Sequence, residues 1–180
     1  MNKKNFLLYI LALCGCFVAG CVLAAALRFA DGLEIKPISG GQTLDFSRYG
    51  FVMSIPQDYT LADNTQANLE GGGNTLYAGS ISGGSHTLHL FCYANETGDN
   101  LSGYGEQELV SYYMGMGADE VRTRTLGGRR FICYRATVTT DEGDELWDTY
   151  ETWDETLQLT FETQMPARLV LPILATLSFD

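Results

Sequence analysis

Histidine, proline and basic residues are all scarce in this chain. Its 180 residues hold 2 histidines, 4 prolines and 11 lysines and arginines, against 22 aspartates and glutamates and a net charge of −11. Each shortage excludes something. His86 and His89 lie three apart in a segment that reads as a strand, so they face opposite sides and cannot hold one metal ion together. No H-E-x-x-H is present. The pieces GSISGG and GGSHT come close to G-x-S-x-G without matching it, and they lack the strand–turn–helix setting of a serine nucleophile. Gly71-Gly72-Gly73 has no Lys-Ser/Thr after it, which excludes a phosphate-cradling loop.

Basic residues are rarer still beyond the N-terminus. Lys3, Lys4 and Arg28 flank an apolar run, so residues 31–180 hold 8 basic and 22 acidic side chains, a net of −14. Such a field repels phosphate backbones and anionic headgroups, so nucleic acid is not an expected partner. It suits solubility outside the cell and attracts cations or basic partners.

What is present begins with that run, Phe6 to Leu27. About 22 apolar residues suffice to cross a bilayer core as a helix. Lysines on the short N-terminal side and an acidic body after it place the body outside the membrane. Three fates are open to residues 1–30. An uncleaved anchor fits the length, and cleavage near Ala24-Ala25-Ala26 would release the domain. Val18-Ala19-Gly20-Cys21 resembles a bacterial lipobox, which makes Cys21 the lipidation candidate. The apolar stretch after Cys21 is unlike the polar tether usual there.

Residues 31–43, with Pro37 and Gly40-Gly41, read as a short tether, and residues 44–180 as one extracytoplasmic domain. Leu44 to Pro56 reads as an opening strand with Phe51, Met53 and Ile55 on one side. Residues 57–74 read as a loop. TLYAGSIS and HTLHLFCYAN form a hairpin across Gly83-Gly84-Ser85, and Tyr104 to Gly117 has helical spacing.

Four consecutive strands then follow from Glu120. The first two are joined by Gly127-Gly128, the second and third by Asp141–Asp144, and the third and fourth by Asp154-Glu155. A symmetric turn there sets Val138 opposite Trp147 and Ile132 opposite Trp153. The other face holds Phe131, Cys133, Tyr150, Leu157, Leu159 and Phe161. Two partly apolar faces call for cover on both, from the 104–117 helix and from Pro166 to Leu177, where Pro172 should start or kink a helix. The expected fold is α+β: an N-terminal membrane helix, then a central antiparallel sheet with helices on both faces.

Chemistry-bearing residues are few. DEGDELWDTYETWDE packs eight carboxylates into a hairpin with no basic residue, but D-x-[DN]-x-[DN]-G is absent, so it reads as a solvated hairpin. Arg130, near Glu155, and Arg135 should neutralise part of it. Cys92 and Cys133 are buried thiols or, in an exported domain, a possible disulfide. Trp147 and Trp153 share a face and are core or a sugar-stacking platform.

The order of elements resembles the PsbP-like fold. YGFVMSIPQDYTL, where a strand closes on Ile55-Pro56 ahead of Tyr59, the helix SGYGEQELVSYYMGMG and the final ILATLSF carry that resemblance, over about residues 44–179. It implies an exported domain with a central antiparallel sheet, in a family that includes extrinsic photosystem II subunits and tethered bacterial proteins. No functional residue of that family carries over, and fold does not give function.

The expectation is a non-catalytic domain at the outer side of a bacterial cell membrane, attached through residues 6–27, which binds an envelope protein or a small ligand. No cofactor, metal or catalytic residue is expected. An enzyme acting on cell wall or polysaccharide is the alternative, and it would need paired carboxylates such as Glu151 and Glu162 across an open cleft. A structural subunit of an envelope complex is the third reading.

Overall fold

The computed structural model describes residues 35–140 and 143–179. Residues 1–34, and with them the apolar run and Cys21, lie outside the described residues, as do Asp141, Glu142 and Asp180. Among the described residues no helix is long and apolar enough to cross a membrane.

Lys36–Asp180 form one compact unit. It opens with strands β1 (Gln42–Phe46) and β2 (Phe51–Ile55), then β3 (Thr60–Asp63) and a short helix α1 (Thr65–Glu70). The hairpin β4 (Tyr77–Gly83) and β5 (His86–Ala94) leads to helix α2 (Glu106–Gly115). Strands β6 (Asp119–Leu126), β7 (Arg129–Thr140), β8 (Gly143–Trp153) and β9 (Leu157–Thr163) follow, and helix α3 (Ala167–Leu174) and strand β10 (Ser178–Phe179) end the fold. Seven strands make one antiparallel sheet in the order β3-β4-β5-β9-β8-β7-β6, and β1-β2-β10 make a second, smaller one.

Local sequence explains most of these elements. β6 and β7 meet at Gly127-Gly128, whose φ values of 57° and 77° are those a two-residue primed turn demands. Gln158, Thr160 and Glu162 alternate with buried Leu157, Leu159 and Phe161, the period of a strand with one core face. Pro166 precedes α3 and its carbonyl accepts from Leu169 N–H at 2.8 Å.

Three details differ from the sequence reading, and one choice it left open is resolved: Pro172, expected to start or kink a helix, sits inside α3, where it forfeits one hydrogen bond of a short helix. Leu44–Pro56 is not one strand: a single 3₁₀ turn, Ser47–Tyr49, folds it into the β1–β2 hairpin. Residues 57–74 are not simply a loop, because β3 pairs with β4 and α1 follows it. In the β7–β8 hairpin Thr140 pairs with Gly143, so Ala136 rather than Val138 lies opposite Trp147, and Glu151 rather than Trp153 lies opposite Ile132. That offset is two residues, which keeps every side chain on its expected face.

One face of the large sheet is the core. Leu88, Leu90, Cys92, Phe131, Leu159 and Phe161 are all buried there. Each large apolar side chain contributes about 1.5–3 kcal/mol by leaving water. The small sheet closes this face: Phe46 stacks on Phe51 at 4.9 Å and meets Tyr77 of β4 edge-on at 5.1 Å. Helix α3 packs on β2.

The opposite face is covered at one end only. Leu109 and Tyr113 of α2 cluster with Leu101, Ala118 and Ile132, with Tyr134 and Trp153 against them. The architecture is thus mostly sheet with few helices, and cover of both faces by helices is not seen. Beyond α2, no described helix covers this second face over β5 and β9.

Candidate functional site

The open face carries a groove. Two adjoining cavities, of about 400 and 470 Å³, share Asn95, Thr97 and Gln158. The first runs under α2 and is walled by Tyr104, Tyr112, Tyr113 and Trp153. The second crosses β5 and β9 and is lined by Tyr93, Glu151, Thr160 and Glu162.

Strand parity sets this lining. Ile132 pairs with Glu151, Glu151 with Thr160, and Thr160 with Phe91, so these side chains share a face with Tyr93, Tyr134, Trp153, Gln158 and Glu162. Helix α2 brings Tyr113 to that row. The helix starts with Glu106 and Glu108 in its first turn, where carboxylates offset the positive helix end, and Glu108 also accepts from Gly105 N–H at 3.4 Å. It then faces Tyr113 inward, 6% exposed, and Tyr112 outward, 62% exposed.

Glu151 is the centre of the arrangement. It is buried and accepts from Tyr113 Oη at 2.6 Å and Tyr134 Oη at 2.8 Å. Burial pushes its carboxyl above the usual range, against the two tyrosine hydrogen bonds, which favour the charged form. The same burial, with Glu151 beside them, raises both tyrosines. Glu162 stands diagonally across the β8–β9 pair, since Thr149 faces Glu162 and Glu151 faces Thr160. Burial and then the neighbouring Glu151 raise Glu162 as well. Among the described residues no Lys, Arg or His lines either cavity, so no described side chain supplies these carboxylates with a counter-charge in the groove.

The rim is built from local turns. Asn95 donates to the carbonyl of Asp99 at 2.8 Å and to that of Asp154, tying the 95–100 loop to the end of β8. Tyr104 Oη donates to Asp99 Oδ2 at 2.9 Å, and its ring meets Trp153 edge-on at 6.3 Å. Arg130 sits beneath and donates to the Tyr104 carbonyl at 2.6 Å.

The other sequence-derived residues are dispersed. Arg135 does pair with the acidic run, bonding Asp148 at 2.8 Å and also Glu120 at 2.9 Å. Arg130 does not meet Glu155. Its neighbour Arg129 pairs with Asp154 at 2.9 Å, while Arg130 is taken up by the carbonyls of Leu101 and Tyr104. His86 and His89 lie on opposite faces of β5, and His89 contacts Trp147 at 5.4 Å. Among the described residues no group of three or more His, Cys, Asp or Glu could hold a metal ion. Trp147 and Trp153 share the open face, each half-buried rather than core.

Cys92 and Cys133 are not brought together. Both are buried, on β5 and β7, and β9 and β8 lie between. Three strand spacings separate them by about 14 Å, twice the reach of a disulfide. Burial pushes the Cys92 thiol up to about 12.

Glu151 and Glu162 were legible as carboxylates that an enzyme would need, but Tyr93, Tyr113 and Tyr134 were not. One signal was available: Gln158, Thr160 and Glu162 make a polar stripe, which an apolar cover would not tolerate.

No family model matches the chain, and no curated protein is similar to it. Solved structures do share its fold, among them the following two. A crystal structure from Bacteroides thetaiotaomicron superposes with a TM-score of 0.53 at 9% identity, over 79% of this chain and 49% of that one. The chain therefore spans about half the length of the Bacteroides protein. The solution structure of cyanobacterial PsbP (CyanoP) from Synechocystis sp. superposes with a TM-score of 0.53 at 11% identity, over 83% of this chain and 96% of that one. At these identities the likeness is one of fold alone, and the fold of this chain is PsbP-like.

Proposed function

We propose that this chain is a non-catalytic, membrane-tethered extracytoplasmic domain that binds a small polar ligand in the groove. The observation that carries the reading is the half of the sheet that no described helix covers. There Glu151, buried and held by two tyrosines, and Glu162, with no basic side chain among the described lining residues, border a cavity of about 470 Å³. Apolar burial would stabilise the fold more than these groups do, so their retention fits a role in recognition.

Protein-observed NMR of the full-length protein against a small-molecule extract of its own cells tests this. Shifts centred on Trp153 and Gln158 support it, and an extract that moves no groove resonance overturns it. The tether is tested by intact mass of membrane-extracted protein with and without a lipoprotein signal peptidase inhibitor. A chain beginning at diacylated Cys21 supports a lipid anchor, and full-length mass supports a helix over residues 6–27. A clean soluble product lacking both would refute tethering.

The diagonal pair Glu151 and Glu162, both with raised carboxyls, favours a second reading as a glycoside hydrolase. Release of reducing ends from cell-wall glycan that Glu162→Gln abolishes would establish it in place of the first.

A further inference from the structure

Resting on the reading of the groove as a binding site, we propose that its ligand carries an alkylammonium group, seated among Tyr104, Tyr112, Tyr113 and Trp153 and facing the groove carboxylates. Four aromatic side chains wall the cavity of about 400 Å³ under α2. They form two edge-on pairs: Tyr112 and Tyr113 lie 5.5 Å apart at 81°, and Tyr104 and Trp153 lie 6.3 Å apart at 62°. Rings set this way present both faces and edges to the space between them. A ring face is the negative end of the aromatic quadrupole and attracts a cation, the more strongly the more the contact is desolvated.

Charge selects among ligands. Asp99 and Glu108 border the aromatic cavity, Glu96, Glu151 and Glu162 border its neighbour, and no basic side chain among the described residues lines either. An anion would meet this field unpaired. A neutral sugar could stack on Trp153 but would leave Glu162 uncompensated. A bare divalent ion wants six to eight converging oxygens, and among the described residues no group of three or more His, Cys, Asp or Glu could hold one. An alkylammonium group satisfies both features at once, its methyl or methylene groups against the rings and its charge toward the carboxylates. The adjoining cavity, shared through Asn95, Thr97 and Gln158, leaves room for the polar remainder of the molecule.

The test uses full-length, detergent-solubilised protein titrated calorimetrically with choline chloride and, separately, with 3,3-dimethyl-1-butanol, its uncharged isostere. Choline is expected to bind at least roughly tenfold more tightly than the alcohol, the scale of one or two ring contacts plus a carboxylate. Tyr104→Leu and Glu162→Gln should each weaken choline about fivefold or more, with no matching loss for the alcohol. Two variants in different elements guard against one failing to fold. Equal binding of alcohol and choline would overturn the proposal while leaving the groove a binding site, as would tight binding of chitobiose in place of choline. Absence of binding by every probe overturns the proposal too. The binding-site reading itself falls only if cell extract moves no groove resonance.

Discussion

Tyr113 of α2 reaches across the sheet to Glu151 of β8, donating its hydroxyl to Oε2 at 2.6 Å. This is a tie between the helix and the sheet face it covers, made within the same row that lines the groove. Removing it by Tyr113→Phe leaves a buried carboxyl with Tyr134 as its other donor. The variant should lose about 1–3 kcal/mol, read as a lower urea midpoint with unchanged slope.

Glu151 also gives stability a distinctive pH dependence. Its carboxyl is raised from 4.5 by burial, so the folded state holds the proton more tightly than the unfolded chain does. The stability this brings is full below about pH 4.5 and is lost as pH rises through the folded value. Asp154 has the opposite sign. Burial would raise it, but backbone N–H groups of Thr156 and Leu157, the Thr156 hydroxyl and Arg129 together hold it at about 2. Its contribution is full above 3.8 and lost as pH falls toward 2. His89, lowered from 6.5 by burial, costs stability as pH falls below 6.5. The difference between wild type and Glu151→Gln isolates the glutamate: it should favour wild type less as pH rises from 4.5. A flat difference curve would show that Glu151 titrates normally.

Thiol reactivity separates the two states of the cysteines. With Cys92 fully buried and its thiol at about 12, and Cys133 buried three strands away, neither should be alkylated by iodoacetamide in the native protein. Peptide mapping should find both modified after denaturation without reductant. A peptide pair still linked under those conditions would contradict the strand order.

Gly127 tests the closure of the small sheet over the core. Its φ is 57°, and a Cβ there would run into the carbonyl of Leu177, just before β10. Gly127→Ala should cost roughly 1–3 kcal/mol or more, from a left-handed backbone plus a clash that no side-chain rotation relieves. Gly103→Ala has open space at its Cβ and should cost far less in the same thermal melt.

Much of the fold could be read from local patterns, and the groove could not. Phe131 and Cys133, or Leu157, Leu159 and Phe161, announce a core face because strand side chains alternate with a period of two. Gly127-Gly128 announces its turn for an equally local reason, the backbone angles a short hairpin needs. The 141–142 connection resisted because Asp and Glu set no turn length, and so the register slid by two residues without changing a face.

Most of the strands, their faces, the helix at α2 and the acidic, base-poor surface follow from neighbouring residues alone, β3 and the β1–β2 turn being the exceptions. Which face the described helices leave uncovered, and which residues meet there, comes from long-range pairing. Tyr93, Tyr113, Tyr134, Glu151 and Glu162 come from β5, α2, β7, β8 and β9. They converge because β9 returns to pair with β5 and because α2 is long enough to cover only one end of the sheet. Non-local pairing leaves no periodicity in a single chain. Only a stripe of polar residues on β9, where an apolar cover would have required leucines, hinted at the uncovered face.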